Sequence, residues 1–201
     1  MAGEAGAALR YTYEEYLAIE RETDVRHEWH DGYVYAMAGG TLAHGALSAA
    51  IVRELGNLAL KCGCVVFSSD AKVRIEAAKL STYPDASVVC GPIETARIDA
   101  NAMTNPTIVV EVLSNSTEKY DRGDKWESYR RLPSLKHFVM VSQYRPHIEV
   151  YTREGNHWVL ADAYAGESAT IDALGGAISV DAVYAGITLT ETPPVMPERA
   201  V

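Results

Sequence analysis

Thr107-Ile108-Val109-Val110-Glu111-Val112-Leu113 decides how this chain is read. An apolar, β-branched run of this length predicts a buried central strand. An ionised carboxylate inside such a strand costs several kcal/mol unless a cation or hydrogen-bond donors meet it, so Glu111 needs a partner. Upstream, Pro84-Asp85 opens a second apolar run, Ser87-Val88-Val89-Cys90, and Asp85 poses the same question. The two carboxylates lie 26 positions apart, each on or beside an apolar strand, so neighbouring strands can bring both to one edge of a sheet. With a main-chain carbonyl such as that of Val112, they offer the hard oxygen ligands that suit Mg2+, leaving room for waters and a phosphate. An ion held this way generates hydroxide and neutralises charge on a phosphate under attack. Structural readings stand beside this one. Asp after Pro is common in turns, where it accepts backbone N–H groups, and an ion pair with Arg or Lys also explains a buried Glu.

Outward from this stretch, Thr12-Tyr13-Glu14-Glu15 has the form of a capping box and predicts a short helix to about Glu22. Val25 to His30 and Tyr33 to Ala38 flank Asp31-Gly32, which favours a type I′ hairpin, with Glu28 on its first strand. Thr41 can cap a helix to about Lys61, whose apolar face carries Leu47, Ile51, Leu55 and Leu58 and, near its start, His44. Strands are predicted over 65–69 and 71–76, and a polar loop of about 15 residues over 91–106. A helix over 120–132, begun by Asp121 and stopped by Pro133, places Lys125 and Tyr129 one turn apart. Three strands follow, over 137–142, 147–153 and 157–161, then a weaker strand at 178–180 and a helical turn at Val183-Tyr184. The pattern predicts an α/β fold, a mixed β-sheet flanked by helices. One domain over 11–190 is expected, between a disordered start (1–10) and a flexible tail (191–201).

With 201 residues and 48% hydrophobic side chains the chain can bury a core, and a net charge of −9 argues against coating nucleic acid nonspecifically. Positive charge gathers locally at Arg122, Lys125, Arg130, Arg131 and Lys136, so any DNA is expected to approach across that helix, with Arg122, Arg130 and Arg131 on its phosphates. Cys62, Cys64 and Cys90 form an odd set without a basic leader, which predicts buried thiols in a reducing cytoplasm rather than a disulfide framework. Cys62-Gly63-Cys64 lacks the second Cys/His pair that a zinc site needs. No window is long and apolar enough to predict a membrane span.

The order Glu28, Asp31-Gly32, His44, Pro84-Asp85, Glu111-Val112-Leu113-Ser114, Asp121, Lys125, Tyr129 resembles the bacterial putative restriction endonucleases, a branch of the PD-(D/E)XK nuclease superfamily. The resemblance spans residues 11 to about 161. It implies a nuclease core in which Asp85 and Glu111 bind Mg2+, or Mn2+ as a substitute, and often a homodimer. In the superfamily pattern a Lys stands two residues after the acidic strand residue, where this chain has Leu113. The branch it resembles supplies that Lys from the next helix, and Lys125 is the matching residue, with Lys119 in reserve. Glu28 and His44 match further positions. Glu28 would ligate the metal directly or through water, and His44 would orient that water or contact a phosphate. Asp121 and Tyr129 would support them.

Two functions follow from this reading. The first is a metal-dependent endodeoxyribonuclease, with Lys125 stabilising charge. The second is an inactive nuclease-fold module that binds nucleic acid or protein, a reading that Leu113 and the acidic balance favour. Retention of carboxylates at buried strand ends favours the first, since a module without metal gains nothing from them.

Overall fold

The structure is a computed structural model and describes residues 9–37, 39–114 and 117–189. The elements in chain order are α1 (Tyr13–Glu22), β1 (His27–His30), β2 (Tyr33–Ala36), α2 (Leu42–Ala59), β3 (Cys64–Ser68), β4 (Lys72–Ile75), β5 (Leu80–Thr82) and β6 (Ala86–Cys90). There follow β7 (Thr95–Ala96), β8 (Asp99–Met103), β9 (Ile108–Leu113), α3 (Glu118–Tyr120), a π-helical turn (Asp121–Lys125), α4 (Trp126–Tyr129), β10 (His137–Ser142), β11 (His147–Glu154), β12 (His157–Tyr164), β13 (Ser168–Ile171), β14 (Gly176–Ser179) and α5 (Val180–Tyr184).

Local chemistry sets the early elements as expected. Thr12 and Glu15 complete a reciprocal capping box on α1. Asp31 and Gly32 take φ of +44° and +93°, the left-handed pair that a type I′ turn requires. The Thr41 side chain accepts the His44 N–H at the start of α2.

The mixed α/β architecture is present, but the strands divide into two large sheets where a single one was expected. The central sheet has the order β12-β11-β10-β9-β6-β3, and the second has β2-β1-β5-β4-β8-β7. Buried Leu47, Ile51 and Leu55 of α2 join Val88, Val110 and Val112 on one face of the central sheet, with α5 and the small β13-β14 sheet beside them. On the other face Val89, Val109, Phe138 and Met140 meet Val73, Ile75 and Leu80 of the second sheet, together with Tyr129 of α4. Tyr13 and Tyr16 of α1 pack on Trp29, on the outer side of the second sheet. The chain changes sheet several times, and at β5–β6 the link is Tyr83-Pro84-Asp85. It returns to the second sheet at β7–β8 before entering β9.

Four expectations need correction. The polar segment over 91–106 holds a β-hairpin, β7–β8, because Asp99 is buried against Lys72 at 3.0 Å and Tyr13 at 3.0 Å and so anchors the second strand. The helix expected from Asp121 begins at Glu118, and Asp121 lies inside it. Strands β5 and β13 went unforeseen, since three or four residues are too few to display a period. Cys64 and Cys90 face each other in the β3–β6 ladder and are joined in a disulfide, while Cys62 is exposed, so the buried-thiol expectation fails on both counts. The expected tail over 191–201 and most of the start over 1–10 lie outside the described residues. Among the described residues no helix is long and apolar enough to cross a membrane.

Candidate metal and phosphodiester site

Strand register brings the two carboxylates of the opening stretch together. β6 and β9 pair antiparallel, Val88 with Ile108, Ser87 with Val109 and Ala86 with Val110, so the next step sets Asp85 beside Glu111. Asp85 Oδ2 accepts the Val112 N–H at 2.7 Å, which closes the end of the ladder with a side chain. Its Oδ1 accepts the Ser48 hydroxyl at 3.3 Å, and His44 Nε2 lies 3.4 Å from Oδ2. Both of those groups come from the first turns of α2.

β9 runs parallel to β10, with Glu111 opposite Met140, so the chain between them must cross the sheet, and it does so as α3, the π turn and α4. In the π turn the Trp126 N–H bonds the Asp121 carbonyl, five residues back. The wider turn buries both Asp121 and Lys125. Lys125 Nζ stands 3.1 Å from Glu111 Oε1, 3.1 Å from Glu28 Oε1 and 3.5 Å from Asp121 Oδ1. One turn on, Tyr129 donates to Glu111 Oε1 at 2.7 Å. Glu28 arrives from the second sheet, where the Thr82 hydroxyl of β5 donates to it.

Charge in this cluster is unbalanced. Glu28, Glu111 and Asp121 surround one ammonium, and Asp85 beside them has His44 as its ionisable partner. Burial pushes the Glu111 carboxyl well above the usual range, and Asp121 and Asp85 push it further against the pull of Lys125. Burial also raises Asp121, and its Oδ1 is buried without a hydrogen-bond partner. Burial works against charge on Lys125, but Glu111, Tyr129, Glu28 and Asp121 outweigh it and hold the ammonium charged. The hydrogen bond to Asp85 raises His44, against a lowering by burial. An excess of buried carboxylate oxygens over cations is the donor chemistry of a divalent cation site. The residues present fit a divalent cation.

A model of the Uma2 family, described as Putative restriction endonuclease, matches residues 13–183. This chain belongs to the Uma2 family. Two Synechocystis proteins are similar to this family member over most of their length. Uncharacterized protein slr1290 is 34% identical over 175 residues, 87% of this chain and 91% of that one. Uncharacterized protein sll1609 is 28% identical over 165 residues, 80% of this chain and 91% of that one. The crystal structure of a putative nuclease belonging to DUF820 from Anabaena variabilis shares the fold, with a TM-score of 0.68 and 14% identity over 89% of this chain and 99% of that one. The fold is thus nuclease-like.

In this Uma2 chain the site opens to solvent on the Asp85 side. His44, Ser48 and Asp85 line a cleft of about 770 Å³ whose rim includes Arg26, Gly39 and Gly40. Arg26 bonds the Ser69 carbonyl and the Asp70 carboxylate, which ties the start of β1 to the β3–β4 turn. The arginines expected to meet DNA lie along the crossover and are already engaged. Arg122 grips Glu149 with Nη1 at 3.0 Å and Glu118 with Nε at 2.9 Å, and Arg130 and Arg131 pair with Glu127 at 3.2 and 3.9 Å. Lys119 is exposed and forms no ion pair among the described residues. His147, Glu149 and Asp162 also bring ligand atoms within 4.8 Å of one another. That group is already satisfied by Arg122 on Glu149 and by His147 on Asp162 at 2.6 Å.

Thr82 and Ser48 escaped the sequence reading. Only position could have found Ser48, one helical turn after His44 on the same face. Thr82 carried no signal, because its strand was itself unforeseen.

Proposed function

We propose that this protein is a divalent-metal-dependent endonuclease hydrolysing phosphodiester bonds in DNA. The observation that carries the reading is the Lys125 ammonium, 3.1 Å from both Glu28 and Glu111 in a cluster of four carboxylates. Asp85, Glu111 and the Val112 carbonyl would hold Mg2+, with Mn2+ as a substitute, and the bound ion would supply an activated water and Lewis-acid charge stabilisation. Asp85 is oriented for this by Val112 N–H and Ser48, and Glu111 by Tyr129. Lys125 is kept charged by its neighbours, so it stabilises negative charge developing on the phosphate and does not abstract a proton. His44 faces the cleft with its charged form favoured by Asp85, placed to contact a phosphate oxygen or orient water. Glu28, pinned by Thr82 and Lys125, reaches the same point from the second sheet and would act directly or through water.

Duplex DNA would enter by the cleft at Asp85. Arg122, Arg130 and Arg131 would contact phosphates only by exchanging their present carboxylate partners, which makes their contribution steeply salt-dependent. A homodimer and a cytoplasmic location belong to the same reading.

Calorimetric titration of the purified chain with Mn2+ and Mg2+, beside plasmid nicking by the same sample, tests the proposal. One divalent site lost in Asp85→Asn, together with metal-dependent nicking, is the expected result. Equal metal affinity in parent and variant would sink the ligand assignment, and a bound metal without nicking would leave a binding module.

A further inference from the structure

Away from the carboxylates, three sulfurs meet at the far end of the β3–β6 ladder. Cys64 and Cys90 are bonded across the paired position, and the free Cys62 Sγ lies 3.3 Å from Cys64 Sγ. Gly63 causes this meeting. It takes φ +68°, a left-handed turn open to glycine at little cost, and so folds the two flanking cysteines back toward each other. Nothing lies within 4 Å of where a Gly63 Cβ would be, so the turn has space to adjust. Cys62 is exposed at the end of α2, whereas Cys64 and Cys90 are partly buried against the core.

The geometry points to a thiol–disulfide exchange site in which Cys62 is the entry thiol for the Cys64–Cys90 bond and takes small thiols or disulfides as partners. In the internal step the Cys62 thiolate attacks Cys64 Sγ. A Cys62–Cys64 bond forms, the Cys64–Cys90 bond breaks, and Cys90 leaves as a thiolate that takes up the proton Cys62 released. No electrons are gained or lost. A small thiol then attacks the exposed Cys62 sulfur, which leaves Cys64 as a thiolate and gives a mixed disulfide on Cys62. A second small thiol releases Cys62, and the net reduction is balanced by one molecule of the small disulfide. The cross-link has moved from a loop of sequence separation 26, which contains β4, β5 and Asp85, to two cysteines either side of Gly63. The staple on β6 is thereby released without any reductant reaching the partly buried pair directly. This inference is independent of the phosphodiester chemistry.

Tryptic peptides separate the two states. Residues 62–72 carry Cys62 and Cys64, and residues 80–97 carry Cys90. The full chain is acid-quenched, alkylated, digested and analysed by mass spectrometry. The expected major form links the two peptides with Cys62 alkylated. The expected minor form has 62–72 closed on itself and Cys90 alkylated. With reduced glutathione as the probe, Cys90 should become alkylatable about tenfold faster in the parent than in Cys62→Ser, because the internal thiol acts at high effective concentration. The serine variant changes one exposed atom and should fold. Equal Cys90 labelling rates in parent and variant would overturn the proposal, as would absence of the closed 62–72 peptide at every time point.

Discussion

Asp85 Oδ2 accepts the Val112 N–H at 2.7 Å, so the carboxylate at the start of one strand is fixed by the backbone of the strand that carries the other. Asp85→Asn keeps an oxygen able to accept that N–H, and the fold should persist. It removes the charge that raises His44. The His44 pKa should therefore fall toward its ordinary value, read by NMR titration of the ring protons, and divalent binding should be lost in the same sample. An unchanged His44 titration would separate the two residues.

Lys125→Ala is expected to act twice. It removes the countercharge from buried Glu111 and Asp121 and partly buried Glu28, which should cost about 3–5 kcal/mol of stability in metal-free protein, the usual consequence of breaking a buried pair. It also removes one preorganised charge contact from the reaction, worth about 10²–10³ in cleavage rate. Saturating Mn2+ should recover part of the melting temperature but not the rate. Lys119→Ala should change neither, and parent-like nicking by Lys125→Ala would end the role assigned to it.

A Cβ on Gly40 would lie 2.7 Å from His44 Nδ1 and 2.9 Å from its Cγ. The ring would have to move. Gly40→Ala should thus pull His44 away from Asp85 and lower its pKa, with little change in overall stability because the site is at a cleft rim. An NMR titration identical to the parent's would show that the ring tolerates the methyl group.

His137 gives a pH prediction away from the site. Its Nδ1 lies 3.1 Å from Thr152 Oγ1 and its Nε2 accepts the Ala173 N–H at 3.1 Å, so the buried ring must be neutral at Nε2, and burial lowers its pKa. The unfolded chain takes up the proton first as pH falls. The contribution of His137 is then fully present above the ordinary histidine value of about 6.5 and is lost progressively below it. Denaturant midpoints of parent and His137→Gln between pH 7.5 and 5.5 should converge toward acid. A constant difference would place the neutral ring elsewhere.

The candidate site was legible where one residue contradicted its surroundings. Glu111 in an apolar run and Asp85 after a proline announced themselves, because burying a charge is expensive enough to demand an explanation from the sequence alone. Lys125 was reached only through resemblance, since the π turn that buries it leaves no mark on a helical period. The division into two sheets was not legible, because the turn between β3 and β4 looks the same whether the second strand stays in the sheet or leaves it. The disulfide was misread from an odd cysteine count. Two cysteines 26 residues apart reveal their pairing only once the β3–β6 register is known.

The π turn also fixes the length of the chain. The crossover is held at two places on one sheet, Arg122 on Glu149 of β11 and Lys125 on Glu111 of β9, and the widened turn lets both grips close at once. A single-residue deletion between them, for instance of Gly123, would restore ordinary α-helical winding and bring Arg122 and Lys125 from three residues apart to two, which changes the angle between them. One grip would open. Insertions and deletions are normally absorbed in loops, but this helix behaves as a ratchet with one permitted tooth, where a lost residue disarms the site and leaves the surrounding fold intact.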